Sequence, residues 1–232
     1  MSEWISLTTR DGRSFEAFLA APEAHSKENG RGLIVLPEVY NVNSFAHDVA
    51  QRYAALGYAV LVPDLFWRQS PGKHYDYDQP DAAREQGAAV NTDAVVSDVG
   101  VAAQALRERL GASATVGVLG YCLGGRIAAL AGARESVDAV VSYYGVGRDA
   151  HLDELARANK PSLYLFGETD PWVPPAVIDA VQQRASGNIN LEVEAYADAG
   201  HGFDRQGFAP YHPAAAEAAR ARVLAFFDLH LR

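Results

Sequence analysis

The segment at 120–125, Gly-Tyr-Cys-Leu-Gly-Gly, has the residue types and spacing of a nucleophile elbow, the strand–turn–helix that presents a reactive side chain. It follows the apolar run at 115–119, which predicts a strand ending at the turn. Gly120 and Gly124 match the pattern G-x-S-x-G and relieve crowding around a strained backbone, while Cys122 brings sulfur where oxygen is usual. The N–H groups at the start of a helix favour an anion there. Cys122 is therefore a candidate nucleophile, although a lone cysteine is also often only a small buried hydrophobe.

Two further residues follow in the chain order of a hydrolytic triad on this kind of turn, which is nucleophile, acid and then histidine. Asp170 comes after an apolar strand pattern at 162–166, and His201 comes after an alternating pattern at 191–196. The carboxyl ends of parallel strands meet at one edge of a sheet, where such sheets bind ligands. There Asp170 would orient the imidazole of His201, which would take a proton from Cys122 and later protonate the leaving group. Taken singly, the acid could be a turn residue and the histidine a loop residue without a task.

The loop at 37–40 follows the first buried strand, where an oxyanion hole takes one of its N–H groups. We expect the backbone N–H groups of Val39 and Leu123 to stabilise charge on a carbonyl oxygen. Glu38 is the unusual member, because a carboxylate would discourage a second anion. It could pair with Cys122 or help the thiol lose its proton, or it could be a solvated loop glutamate.

Two arginines are candidates for binding a substrate anion. Arg84 lies in a long polar and aromatic excursion at 64–91, and Arg205 lies four residues after His201. Long excursions in compact domains are often functional. Both arginines could be ordinary surface residues. Near an acyl-transfer site they would instead suggest a substrate with a carboxylate, which guanidinium groups grip bidentately.

The bulk composition predicts one globular domain over residues 1–232, because 232 residues with 49% hydrophobic content can bury a sizeable core. A net charge of −9 argues against a nucleic-acid-binding surface. One cysteine excludes an intrachain disulfide framework, and a thiol nucleophile fits a reducing compartment. The amino terminus lacks the regions of a signal peptide, and no apolar run approaches the roughly 18 residues that span a bilayer. We therefore expect a cytoplasmic protein that binds neither membrane nor nucleic acid; the composition does not predict its oligomeric state.

Strand and helix patterns alternate along the chain after an initial hairpin at 3–8 and 15–20. This order predicts an α/β fold with a mainly parallel central sheet, helices on both faces and right-handed crossovers. The further predicted strands are 32–36, 58–63, 115–119, 137–144, 162–166 and 191–196. The predicted helices are 44–56, 82–89, 92–110, 123–133, 174–185 and 214–231.

Together these segments resemble the dienelactone hydrolase family, the carboxymethylenebutenolidases, of the α/β-hydrolase superfamily. The resemblance runs from the hairpin to the last helix, and the blocks that carry it are the elbow, the Glu38 loop, 84–86, 143–147, 167–174 and 200–203. It implies an α/β-hydrolase fold and a hydrolase that needs no metal or cofactor. The implied reaction opens dienelactone (4-carboxymethylenebut-2-en-4-olide) to maleylacetate in the breakdown of chlorinated aromatics, through a Cys-His-Asp triad and a thioester.

The resemblance also implies roles for individual residues outside the triad. The acid that matches Glu38 interacts with the thiol and helps to form the thiolate when substrate arrives. The arginines that match Arg84 and Arg205 hold the substrate carboxylate. Tyr144 and Trp172, which belong to the matching blocks, are expected to contact substrate.

One stretch departs from the family pattern. Residues 87–91 read Gly-Ala-Ala-Val-Asn, where larger aromatic side chains occur in the family prototype. We therefore expect a more open pocket wall at this stretch. This departure favours one alternative to the lactone activity, a carboxylesterase of broader specificity in the same fold. A second alternative is a non-catalytic descendant that binds a ligand, and the intact set of Cys122, Asp170 and His201 argues against it.

Overall fold

The structure, a computed structural model, describes residues 1–22, 30–147, 149–155 and 159–232. Within these ranges eight strands form one sheet: β1 (Ser2–Thr8), β2 (Ser14–Ala20), β3 (Arg31–Leu36), β4 (Ala59–Pro63), β5 (Thr115–Tyr121), β6 (Ala139–Tyr143), β7 (Ser162–Gly167) and β8 (Leu191–Tyr196). Their spatial order is β1-β2-β4-β3-β5-β6-β7-β8. The pairs β1–β2 and β2–β4 are antiparallel, and the pairings from β4 to β8 are parallel. The predicted hairpin and mainly parallel sheet are therefore confirmed.

Helices cover both faces of this sheet. Those in the described ranges are α1 (Ser44–Ala55), α2 (Pro80–Ala88), α3 (Thr92–Leu110), α4 (Leu123–Arg134), α5 (Leu152–Leu155), α6 (Pro175–Ala185) and α7 (Pro213–His230). The buried side chains separate into two clusters because alternate residues of each strand face opposite ways. In β3, Ile34 packs with the buried side chains of α3 and α4, whereas Leu33 and Val35 pack with those of α1 and α7. The predicted placement of helices on both faces is thus confirmed.

The parallel strands deliver their loops to one edge of the sheet. β4, β6 and β7 are buried along their whole length, which agrees with their continuous apolar runs. The segments that follow β3, β5, β6, β7 and β8 carry the predicted site residues other than Arg84, which lies on α2 after β4. None of the helices in the described ranges combines the length and the apolar character that crossing a bilayer requires.

Some element boundaries differ from the predictions. A 3₁₀ turn at Asp149–His151 and the short helix α5 were not predicted, because elements of three and four residues are too short to show a periodic pattern. The predicted strand at 137–144 is shorter, since β6 begins only at Ala139. The predicted helix at 82–89 begins earlier, at Pro80, because proline suits the first turn of a helix, where its missing N–H has no partner to lose.

Candidate active site

Cys122 lies between β5 and α4 in a backbone conformation that residues other than glycine rarely adopt, with φ of 54° and ψ of −113°. A Cβ atom on Gly120 would overlap the carbonyl group of Gly124, and one on Gly124 would lie 2.5 Å from the carbonyl oxygen of Pro37. Both positions therefore require glycine, as the elbow pattern predicts. Cys122 is the residue that precedes the first turn of α4, and 7% of it is exposed.

A hydrogen bond of 2.8 Å joins Nδ1 of His201 to Oδ2 of Asp170. Asp170 follows β7 and His201 follows β8, so their loops meet at the carboxyl edge of the sheet. The second carboxylate oxygen of Asp170 accepts the backbone N–H of Trp172 at 2.8 Å. Since both of its oxygens are held, the carboxylate orients the imidazole through Nδ1 and leaves Nε2 available to another group.

The electrostatic surroundings of His201 favour its protonated form. Burial by itself lowers the pKa of this side chain, but the charge of a Cys122 thiolate and hydrogen bonds with Asp170 and Cys122 outweigh the burial. Together they raise the pKa of His201 to about 10. A thiolate and an imidazolium side by side stabilise each other, so the arrangement suits a charged nucleophile at neutral pH.

Two backbone N–H groups adjoin the elbow. Leu123 is the first residue of α4, where N–H groups lack partners within the helix, and Val39 follows β3 in the neighbouring loop. Among the hydrogen bonds of the described residues, neither N–H has an acceptor. The N–H of Gly124 donates to the carbonyl of Pro37 at 3.1 Å, which ties the elbow to the Val39 loop. The arrangement can receive a developing oxyanion.

Glu38 is buried, with 2% of it exposed, so the alternative of a solvated loop glutamate is wrong. Nε of Arg205 lies 2.7 and 2.8 Å from its two carboxylate oxygens, and the hydroxyl of Tyr77 donates to one of them at 3.0 Å. The Arg205 guanidinium also lies 5.0 Å from the centroid of the Tyr77 ring. In this conformation the described hydrogen bonds of the Glu38 carboxylate come from Arg205 and Tyr77, and none of them involves Cys122.

A cavity of about 470 Å³ opens at this edge, with Cys122, His201 and Arg205 in its wall. Arg84 of α2 and Trp172 also reach it, and the Arg84 guanidinium lies 5.8 Å from a ring centroid of Trp172. The remaining lining residues are mostly apolar: Val39, Tyr40, Val146, Pro171, Gly200 and Pro210. The cavity therefore combines a thiol, an imidazole and two guanidinium groups inside an apolar wall.

Tyr144 does not reach this cavity, which corrects the expectation that it contacts substrate. Tyr144 is fully buried in the turn after β6, and its φ is 37°. The ring packs edge-on to that of His201, with centroids 5.0 Å apart. The turn directs the aromatic ring into the core, so Tyr144 supports the imidazole from behind.

The stretch at 87–91 also does not form the expected open wall. From this part of the chain the lining includes Arg84 alone, which lies one turn earlier on α2. Gly87 faces the oxyanion loop instead, and a Cβ there would lie 2.7 Å from Cγ1 of Val39. The small residue thus lets α2 pack closely against the loop after β3.

Tyr40 and Tyr77 also belong to the site, although neither was among the predicted site residues. Tyr40 lines the cavity, and its ring centroid lies 4.5 Å from that of Tyr77. A signal for both was present, since one stands in the Glu38 loop and the other in the long excursion at 64–91. Across the described ranges no group of three or more histidine, cysteine, aspartate or glutamate side chains is arranged to hold a metal ion.

Comparisons with known proteins agree on one family. A model described as "Dienelactone hydrolase family" matches residues 15–231. The carboxymethylenebutenolidases of Pseudomonas putida and Pseudomonas knackmussii are each 33% identical over 230 residues, which covers 97% of this chain and 96% of theirs. A crystal structure from Klebsiella pneumoniae, named "Putative Dienelactone Hydrolase", is 27% identical with a TM-score of 0.86 over 98% of both chains.

Proposed function

The chain belongs to the dienelactone hydrolase family and has the α/β-hydrolase fold, and we propose that it opens a small lactone that carries a carboxylate, with dienelactone as the prototype. Membership makes it a hydrolase of ester or lactone bonds in a small molecule. The observation that carries the narrower proposal is the buried Glu38–Arg205 pair, because Arg205 also faces the cavity that holds Cys122. A guanidinium in that position suits a substrate anion.

In the proposed reaction Cys122 is the nucleophile. Its thiolate attacks the lactone carbonyl, and the resulting oxyanion accepts hydrogen bonds from the N–H groups of Val39 and Leu123. Collapse breaks the ring C–O bond, leaves a thioester on sulfur, and expels an enolate that takes a proton from the His201 imidazolium.

The second half of the reaction hydrolyses the thioester. Neutral His201, held by Asp170, removes a proton from a water molecule that attacks the thioester carbonyl. The thiolate of Cys122 leaves, the new carboxylic acid is released, and His201 is protonated again. Enolates and thiolates are good leaving groups, so sulfur suits an activated ester better than an amide.

The substrate carboxylate provides a reason for the buried pair. When it binds Arg205 it competes with Glu38, which is then buried with fewer partners and has a greater affinity for a proton. Glu38 can then take any proton that remains on the thiol of Cys122. This agrees with the role that the family resemblance implies for this acid.

The apolar wall favours a second candidate, a carboxylesterase of broader specificity. The side chains of Val146, Pro171 and Pro210 have no hydrogen-bonding group, and Trp172 is 58% exposed beside them. Such a wall would accept neutral acyl chains as well as a lactone ring. High activity on neutral p-nitrophenyl esters without preference for a carboxylate would favour this candidate.

The test of the proposed function is hydrolysis of cis- and trans-dienelactone by the purified protein, followed by the loss of ultraviolet absorbance. We expect turnover that Cys122→Ala abolishes while circular dichroism shows an intact fold. Arg84→Met and Arg205→Met should raise KM for the lactone far more than for a neutral ester. Near wild-type turnover by Cys122→Ala, or equal effects of the arginine variants on both substrates, would contradict the mechanism.

A further inference from the structure

Asp204 lies on the loop after β8, between His201 and Arg205, but its side chain is not part of the cavity wall. The residue is fully buried, with 0% exposed, and its carboxylate contacts α7 and the end of β5. The loop therefore presents two proposed site residues to the cavity and one charged residue to the interior of the protein. A buried charge needs partners, and those of Asp204 are specific.

Arg220 of α7 holds this loop at three points. Its Nε donates to Oδ1 of Asp204 at 2.5 Å, and its Nη2 donates to the backbone oxygen of Asp204 at 3.0 Å. Its Nη1 donates to the side-chain oxygen of Gln206 at 3.3 Å. One planar guanidinium thus fixes both the side chain and the peptide of Asp204.

The second carboxylate oxygen of Asp204 connects the loop to two more elements. The hydroxyl of Tyr121, the residue before Cys122, donates to Oδ2 at 3.3 Å, and Nη1 of Arg52 on α1 lies 3.9 Å from the same oxygen. Burial raises the pKa of Asp204 to about 6 although the nearby arginines lower it, so the carboxylate is charged at pH 7.5. Asp204 therefore joins α1, β5 and α7 behind the loop.

The position of the Arg205 guanidinium depends on this attachment. The side chain turns back across Gly202, whose φ is +82° and whose Cβ, if present, would lie 2.7 Å from Nε of Arg205. It then reaches Glu38 with that same nitrogen. Because the peptide between Asp204 and Arg205 is held by Arg220, the base of the Arg205 side chain is fixed while its tip contacts Glu38.

We propose that Asp204 and Arg220 are positioning residues that hold Arg205 where it can exchange Glu38 for the carboxylate of the substrate. Neither residue lines the cavity, so both act through Arg205. The inference rests on the proposed function, because the position of the Arg205 guanidinium matters only if the substrate carries a carboxylate. Asp204 and Arg220 would then determine substrate specificity from the side of the loop that faces away from the cavity.

The test compares two esters with the same leaving group, mono-p-nitrophenyl glutarate and p-nitrophenyl valerate, each corrected for spontaneous hydrolysis. The readout is the ratio of kcat/KM for the carboxylated ester to that for the neutral ester. Arg220→Met should lower this ratio at least about 10-fold, through KM of the carboxylated ester, because a small displacement of a binding group is costly. Arg222→Met is the matched control, since Arg222 pairs with Glu192 and Glu194 of β8, and it should keep the wild-type ratio.

The outcomes separate the inference from the proposed function. A wild type with no preference for the carboxylated ester, or an Arg205→Met variant with an unchanged ratio, would overturn the carboxylate clamp and the inference with it. A clear wild-type preference that Arg205→Met abolishes but Arg220→Met leaves intact would overturn the inference alone. Equal losses on both esters in Arg220→Met would overturn it too, since they would indicate a general structural role.

A conservative variant keeps the test decisive where Arg220→Met does not fold. Arg220→Lys retains the charge beside Asp204, but one ammonium group cannot hold Asp204 and Gln206 as the guanidinium does. Its ratio should lie below that of the wild type and above that of Arg220→Met. A wild-type ratio in Arg220→Lys would overturn the inference.

Discussion

The buried pair of Arg205 and Glu38 predicts a large and specific loss of stability when the arginine is removed. Arg205→Met replaces the guanidinium with an apolar side chain of similar length and leaves the Glu38 carboxylate without its cation. The side chains of the pair are only 10% and 2% exposed, so water entering from the cavity hydrates the Glu38 carboxylate far less well than bulk solvent would. The hydroxyl of Tyr77 remains as one donor to the carboxylate.

The magnitude follows from the geometry of the pair. Removing one partner of a buried ion pair costs about 3–5 kcal/mol, mainly because an uncompensated charge is left behind. Since Tyr77 still donates one hydrogen bond, we expect about 3–4 kcal/mol, which is roughly a 100- to 1,000-fold change in the unfolding equilibrium constant. Arg205→Met combined with Glu38→Gln removes the stranded charge and should recover at least about half of this loss.

Urea unfolding at pH 7.5, followed by circular dichroism, gives the free energy of unfolding of each variant. The control is Arg184→Met, because Arg184 and Asp153 form an exposed pair whose side chains are 48% and 68% accessible, and it should cost less than about 1 kcal/mol. Two results would refute the reasoning. One is an Arg205→Met protein as stable as the control, and the other is a double variant with Glu38→Gln as unstable as Arg205→Met alone.

Three further perturbations test the elbow and the His201 environment. Gly124→Ala should cost at least about 1–3 kcal/mol and lower kcat, because its Cβ would overlap the backbone carbonyl groups of Leu36 and Pro37. The control Gly187→Ala, with open space around it, should change neither the melting temperature nor kcat. Cys122→Ala should lower the pKa of His201 from about 10, as seen by NMR titration of the ring; an unchanged titration would refute the role of the thiolate charge. Because the pKa of His201 is raised in the folded protein, its protonation adds to the free energy of unfolding, and this contribution is lost as the pH rises towards about 10. In urea unfolding, the free energy of unfolding of Cys122→Ala should therefore fall less steeply with pH than that of the wild type. Asp170→Asn should reduce kcat roughly 10²–10⁴-fold in steady-state assays by misorienting the imidazole, and a smaller effect would contradict its assigned role.

The parts of the site that could be predicted are those set by short stretches of chain. The elbow at Cys122 depends on a few consecutive residues, and its glycines are required by contacts within the turn and with the adjacent loop. The positions of Asp170 and His201 followed from where strand patterns end. Parallel strands bring such ends to one edge, so order along the chain was sufficient to predict proximity.

The parts that could not be predicted depend on pairings between distant residues. Glu38 and Arg205 are 167 positions apart, and each is polar, so nothing local distinguishes a buried pair from two solvated side chains. The direction of a side chain at a turn is equally hidden, which is why Tyr144 was expected in the cavity. The stretch at 87–91 was expected to form a more open wall, but the close approach of Gly87 to Val39 depends on how α2 packs in three dimensions.

The single sulfhydryl of this chain has a consequence for its handling. Cys122 is the only cysteine, so an oxidant that converts its thiolate to a sulfenic acid finds no second thiol in the chain to form a disulfide. The thiolate is the form of a cysteine that oxidants attack, and it is also the form that the proposed reaction needs. Recovery would then depend on a thiol supplied from solution, and further oxidation to the sulfinic acid would be permanent. The specific activity of a preparation should therefore fall with its exposure to oxygen and peroxide. Titration with a thiol reagent, which reacts with one equivalent per intact chain, should give the fraction of active sites that remain reduced.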